Sequence, residues 1–336
     1  MLRWTLSPRA LHLLAIASVV ANIGIVVTGG AVRLTGSGLG CPTWPSCADG
    51  SLTPRPEASY HGIIENTNRQ LTWILSVIAI ATLVAAVRQR RERGLAAAAF
   101  AMIPVQAVVG GISVLTHLNP WVVGLHFLTS MVAIALTTVL WWRLRGGLRL
   151  ASATPAAVLL ARGVVAVTAA VLVVGTVVTG SGPHAGDAGA KNRIGLDPAA
   201  VSQLHADLVM ALIGLSVGLA VLLRAVRAPG AARCAADLLL AVEAGQAVIG
   251  YVQYFTHVPA VLVGFHMLGA CLTWFAALQA LLAVQAPLQV LTDDVDDQAD
   301  QRTYHRAVDP DELQVASDLQ FEPTAGLLGV PPRHSA

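Results

Sequence analysis

"QAVVGGISVLTHLNPWVVGLHFL" runs from Gln106 to Leu128, and "QAVIGYVQYFTHVPAVLVGFHML" runs from Gln246 to Leu268. The two align without a gap at an offset of 140 residues, with ten identities in 23 positions. Each copy spans the end of one apolar segment and the start of the next. Upstream, "GIVVTGG" from Gly24 is echoed by "GTVVTGS" from Gly175. Self-similarity on this scale predicts a duplicated structural unit. Working outward from the repeat, runs of about 20 apolar residues give eight segments: 10–32, 64–87, 95–116, 121–142, 156–180, 204–223, 235–256 and 260–284. The expectation is an all-α membrane protein with eight transmembrane helices arranged as two tandem four-helix bundles. Four is even, so both copies share one topology and a pseudo-two-fold axis along the membrane normal relates them. Residues 1–150 make the first bundle and 151–285 the second, with 286–336 as a tail.

Composition agrees. Of 336 residues, 55% are hydrophobic and 12% charged, against roughly 25% charged in a soluble domain. That deficit excludes a string of soluble domains, and the same numbers exclude a disordered chain or a disulfide scaffold. The net charge of +2 conceals an asymmetry. From Asp293 onward there are ten acidic residues and three arginines, which leaves 18 basic and 9 acidic groups in the rest. A membrane body with basic loops accounts for that surplus, and no nucleic-acid partner is needed. The tail reads as a disordered acidic segment. The first segment continues into "VVTGGAVRLTGSG" with no small-residue cleavage pattern, so it reads as a span rather than a removed signal.

The arginines set the orientation. Arg88, Arg90, Arg91 and Arg93, then Arg143, Arg145 and Arg149, then Arg224, Arg227 and Arg233 all fall in alternate connections. The other connections hold only Arg33, Arg55, Lys191 and Arg193. The expectation is a multi-pass protein of the cell membrane with both termini cytoplasmic and the 33–63 and 181–203 loops outside.

Ionisable residues inside spans are rare and usually functional. His126 and His266 are equivalent in the repeat, early in the fourth helix of each unit, and His205 opens the sixth helix. The even-numbered helices run in one direction, so these histidines share a depth near the outer side. His205 and His266 on separate helices, with no carboxylate or thiolate pattern around them, suit a six-coordinate haem iron. Zinc would want three or four ligands. His117 and His257 also correspond, at the outer ends of the third and seventh helices; they read either as haem propionate partners or as interface residues. Counted from the basic helix ends, the first-unit position matching His205 holds Asn68. His61 lies seven residues earlier, about two turns along the same face, and can ligate only if the second helix begins before residue 64. Glu65 and Arg69 are one turn apart and suited to pair. Glu65, beside the cofactor level, reads as a catalytic or proton-handling acid. Asp207 and Glu243 read as acids in structural hydrogen bonds inside the bundle. Cys41 and Cys47 enclose five residues in an outward loop, which suits a disulfide or a reducible redox pair.

The run "GGAVRLTGSGLGCPTWPSC" from Gly29 to Cys47 resembles the signature of the heme A synthases. So does the duplicated four-helix unit with a histidine early in helices four, six and eight. The resemblance covers about residues 10–285. It implies an enzyme that oxidises a methyl group of haem O to a formyl group, giving haem A for cytochrome oxidase. It implies a haem b in the second bundle between His205 and His266, and a substrate site in the first bundle with His126 as a ligand and Glu65 as its acid. The family's helix-two ligand position is Asn68 here, in "IENTNRQ". Two readings stay open: His126 is the one protein ligand of the substrate haem, or His61 substitutes. The family's outer-loop pair matches Cys41 and Cys47, and a second pair carried by some members in the fifth connection is absent. Arg33, at the outer end of the first helix, is a candidate propionate partner, since arginine pairs with carboxylates through two bonds. Implied partners are haem O, a heme O synthase that supplies it, an electron acceptor and the lipid bilayer. Two other functions fit a histidine-lined bundle: a bis-histidine cytochrome b electron carrier, and a haem transport or delivery protein.

Overall fold

A computed structural model describes residues 7–47, 50–53, 60–145, 154–190 and 192–285. The tail 286–336, Arg55, Arg149 and Lys191 lie outside the described residues.

Among the described residues there are eight helices long and apolar enough to cross a membrane: α1 (Pro8–Leu34), α2 (Tyr60–Gln89), α3 (Arg93–Leu115), α4 (Pro120–Leu144), α5 (Pro155–Ser181), α6 (Pro198–Ala225), α7 (Gly230–Phe255) and α8 (Ala260–Gln285). The chain is a multi-pass membrane protein. Four helices start on one device. Ser7, Asn119, Thr154 and Asp197 each cap the first backbone N–H groups with a side-chain oxygen, and proline follows as the first helical residue. A proline there gives up an N–H that has no partner in the helix anyway. Helix α2 starts at Tyr60 and helix α6, behind its Asp197 cap, at Pro198, four and six residues before the apolar runs begin.

Helices α1 to α4 pack in a closed cycle, α1 on α2 and α4, α3 on α2 and α4. Helices α5 to α8 repeat the same cycle. The halves meet through α1 on α8, α4 on α8 and α4 on α5, pairings consistent with a two-fold relation between them. The outer α3–α4 and α7–α8 turns share a further feature. His117 and Leu118 have φ of 51° and 57°, and His257 and Val258 have φ of 60° and 61°. Two successive left-handed residues without glycine are uncommon, above all with a β-branched valine, and here they recur at equivalent places.

The tightest packing lies toward the arginine-rich ends. In the first half Leu11, Ala15, Ala85, Ala86, Ala96, Leu140 and Leu144 form one buried cluster. In the second half Ala157, Ala161, Leu219, Leu223, Ala232, Ala236, Leu239, Ala277 and Ala280 belong to another. Small side chains let helix backbones approach where the bilayer supplies no hydrophobic drive between helices. Val26, Met131, Ile134, Leu172 and Cys271 join the halves, and Trp274 donates across the seam to the Met131 carbonyl at 2.9 Å. The histidines lie toward the other end of the helices.

Candidate haem-binding sites and the outer loop

In the second half the rings of His205 on α6 and His266 on α8 face each other with centroids 6.4 Å apart, at 66° between planes. Two imidazoles bound on opposite sides of one metal, with bonds of about 2 Å, place their centroids roughly 6.3 Å apart. Glycine makes room for each ring. A Cβ at Gly175 on α5 would stand 3.2 Å from His205 Cε1, and one at Gly250 on α7 would stand 3.6 Å from His266 Cε1. The gap at Gly175 also leaves the Val171 carbonyl, one turn earlier, facing His205. The Nδ1 of His266 is buried without a partner. Among the described residues no three His, Cys, Asp or Glu side chains gather to hold an ion. A facing imidazole pair and nothing else suits an iron that brings its own four equatorial nitrogens, so the residues fit a haem.

The first half repeats half of this. His126 on α4 has Gly110 on α3 against it, with a Cβ there 3.0 Å from His126 Cε1, and its Nδ1 is buried without a partner. Gly110 and Gly250 are equivalent in the repeat. Asn68 stands on α2, at the position that the count from the basic helix ends matches with His205. Its Oδ1 is buried without a partner and its Nδ2 lies toward Gly29 on α1. Gly24, the repeat partner of Gly175, has nothing near the place of its missing Cβ, because no ring fills that space.

His61 does lie on α2, which begins at Tyr60. Its Nδ1 is 2.9 Å from the Ser37 hydroxyl, and Ser37 in turn pairs with Thr35. Its ring lies against that of Tyr60, centroids 3.9 Å apart and planes tilted by 33°. The structure thus ties His61 to the outer loop, seven residues or about 10 Å along the helix axis from Asn68. The loop comes so close that a Cβ at Gly40 would overlap the His61 backbone, which only glycine permits.

Glu65 and Arg69 pair at 2.6 Å, as their spacing predicts. The structure adds what they hold. Glu65 Oε2 accepts from the Cys41 N–H at 2.7 Å. Arg69 donates to the carbonyls of Cys41 at 2.9 Å, Thr43 at 3.0 Å and Ser46 at 3.3 Å. One ion pair grips the loop that Cys41 and Cys47 close with a disulfide. Trp44, at the tip, packs its ring where a Cβ of Gly111 would be, one residue from the glycine that faces His126. The second half has Tyr251 in place of Gly111. The sequence marks neither the Arg69 clamp nor the Trp44 contact; the glycines facing the histidines were legible only as identities in the repeat. With both sulfurs buried and bonded, thiol labelling of the folded protein without reductant should leave Cys41 and Cys47 unmodified. Labelling of both would contradict the pairing.

Five other predicted residues make contacts of their own or lie exposed. Arg33 donates to the carbonyls of His184 at 2.8 Å and Thr179 at 3.1 Å, tying α1 to the α5–α6 connection. His117 and His257 are exposed at the outer turns. Asp207 is exposed and accepts from Gln203 one turn away, so it is not an acid inside the bundle; Glu243 is buried and accepts from Ser216 at 2.8 Å.

A family model described as cytochrome oxidase assembly protein matches residues 12–189, more than half of the chain. Three curated relatives bear the name heme A synthase. The one from Lysinibacillus sphaericus is 31% identical over 137 residues, covering 39% of this chain and 44% of the relative. The one from Listeria monocytogenes is 35% identical over 117 residues, covering 33% and 38%. The one from Bacillus pumilus is 29% identical over 132 residues, covering 38% and 42%. The chain thus matches about two fifths of the length of these relatives. By the family match, this eight-helix membrane protein belongs to the COX15-CtaA family of cytochrome oxidase assembly proteins.

Proposed function

We propose that this protein is a heme A synthase, oxidising a methyl group of haem O to a formyl group. The observation that carries the reading is the asymmetry between equivalent levels of the two halves. The second half presents two facing imidazoles at 6.4 Å. The first presents one imidazole, His126, with the amide of Asn68 at the position matched to His205, and a disulfide-closed loop beside them. An electron carrier gains from a closed ligand set on both sides; a site that works on its haem needs one side open.

In this reading His205 and His266 hold haem b, which supplies one-electron chemistry when bound. His126 holds the substrate from one face. Asn68 has no basic nitrogen to offer, so its unpaired oxygen serves as a hydrogen-bond acceptor on the opposite face. Glu65 handles protons at the outer mouth, and Arg69 pairs with it and holds it in place. Arg33 offers its remaining Nη1 to a propionate. The disulfide loop with Trp44 closes the mouth against water. The protein sits in the cell membrane with both termini cytoplasmic, takes haem O from a heme O synthase and passes electrons to an acceptor.

The test is gain of haem A. Cells that make haem O and lack their own synthase should accumulate haem A when this chain is expressed. Unchanged haem with the protein present would instead support a cytochrome b carrier or a haem delivery protein. The ligand asymmetry has its own check. The first-bundle haem should be high-spin, and His61→Ala should leave its spectrum unchanged, because Ser37 holds that ring at the loop. Asn68→His should convert it to low-spin. A low-to-high-spin change on removing His61 would make His61 the second ligand.

A further inference from the structure

Glu243 is the one acid buried in the middle of the second bundle among the described residues, 5% exposed and near the centre of α7. Its Oε1 accepts from Ser216 on α6, and its Oε2 is buried with no partner. An intramembrane carboxyl with an unpaired oxygen is costly unless it has a use. The repeat shows that the bundle does not need one. Ile103 occupies Glu243's place in the first half, and Ala79 stands as far past Asn68 as Ser216 stands past His205. Ile103 and Ala79 line a small cavity there.

The same face of α7 carries two more unpaired acceptors. Gln246 donates to the His266 carbonyl at 3.0 Å but leaves its buried Oε1 without a donor, and Gln253 Oε1 is likewise buried and unpaired. Glu243, Gln246 and Gln253 follow each other at three and seven residues, with Gly250 and the His266 ring between the glutamines. A row of buried acceptors without donors suits a file of water molecules. In the first half the row is closed: Gln106 donates to Ser130 at 2.7 Å and accepts from Thr129 at 3.2 Å. The row in the second half runs from Glu243 toward the outer end of α7. On the other side of Glu243 the fully buried Leu239, Leu219 and Leu223 close the bundle.

Among the described residues no charged side chain pairs with Glu243. Helix α7 packs on α6 and α8 only. From α6, Ser216 meets the carboxyl, while Arg224 pairs with Asp237 at 2.6 Å toward the arginine-rich end. From α8, Cys271 turns away into the cluster with Val26 and Met131, and His266 lies at the Gly250 level, about 10 Å along the helix axis. On α7 itself Arg233, Tyr251 and Tyr254 are exposed.

We propose that Glu243 is a proton-binding site coupled to the redox state of the second bundle, filled from the outer side along Gln253 and Gln246. This rests on the reading that His205 and His266 hold a haem. For each electron that an external reductant gives to the ferric iron, making it ferrous, the Glu243 carboxylate takes up one proton from water and becomes the neutral acid. The added negative charge favours the protonated form. Glu243 touches neither histidine, so it is a charge-compensating residue and not a ligand.

The experiment is a dithionite titration of the detergent-purified full chain at a series of pH values, with infrared difference spectra of the reduced and oxidised forms. The midpoint potential of the low-spin haem should fall as pH rises, approaching one proton per electron, and a protonated-carboxyl band should appear on reduction. Glu243→Gln should keep the low-spin haem, lose the pH dependence and lose the band. Ser216→Ala, which removes the one donor to the carboxyl, should shift the band in frequency. Equal pH dependence in wild type and Glu243→Gln, or a band unmoved by Ser216→Ala, overturns the assignment while leaving the haem reading intact. Absence of any low-spin haem in the wild type overturns both.

Discussion

His205→Ala and His266→Ala should each remove the low-spin haem absorbance proposed for the second bundle, while the chain still inserts as an eight-helix protein. The two rings come from α6 and α8 and meet in a space shaped by Gly175 and Gly250. Alanine at either position leaves one imidazole where two would hold the haem, and no other His, Cys, Asp or Glu cluster among the described residues can replace it. Insertion survives because the packed clusters of the second bundle lie toward the opposite helix ends and contain neither histidine. The high-spin signal of the first bundle should persist in both variants, since it depends on His126. Reduced-minus-oxidised spectra of membranes, normalised to protein, decide the matter. Full low-spin absorbance in both variants would refute the assignment.

If the protein is a heme A synthase, Glu65→Gln should lower haem A formation by about 10²–10⁴-fold, the range for loss of a general acid or base, with the protein still present in the membrane. Glutamine keeps the volume of the buried side chain but carries no charge. Its oxygen can still accept from the Cys41 N–H, yet its NH₂ group then meets the Arg69 guanidinium, donor against donor. That mismatch costs about 1–3 kcal/mol. It does not release the loop, because Arg69 also holds the carbonyls of Cys41, Thr43 and Ser46. Arg69→Lys separates the two roles. Lysine keeps a positive charge but cannot span those carbonyls with a planar fork, so it loosens the loop and leaves the acid. If Glu65 handles protons, Glu65→Gln is the more damaging change. Equal losses in the two variants would make Glu65 a loop anchor only, and normal haem A formation in Glu65→Gln would remove it from the mechanism.

The fold was legible because its signals are local and periodic: eight apolar runs, an exact repeat offset and arginines on alternate connections. Helix starts were less so. An apolar-run criterion stops at "YHGIIENTN" and "PAAVSQL", although the Asp197–Pro198 cap marks the second of these. The facing pair His205 and His266 was legible from matched helical depth. His61 was not, since its position depends on a hydrogen bond to Ser37 across 24 residues of chain. Arg33 illustrates the same limit. Its residue type and place suggest a carboxylate partner, while the fold brings two backbone carbonyls of the other half to it. Long-range contacts of loops decide such cases, and residue spacing carries no record of them.

The central claim is chemical, and the most direct measurement follows the substrate itself. Haem O supplied to the purified protein with a reductant and oxygen can be extracted and identified by mass spectrometry. The account predicts a product in which one methyl has become a formyl group, formed by the wild type and not by His126→Ala. Recovery of unaltered haem O from a wild-type protein that carries its low-spin haem would contradict it.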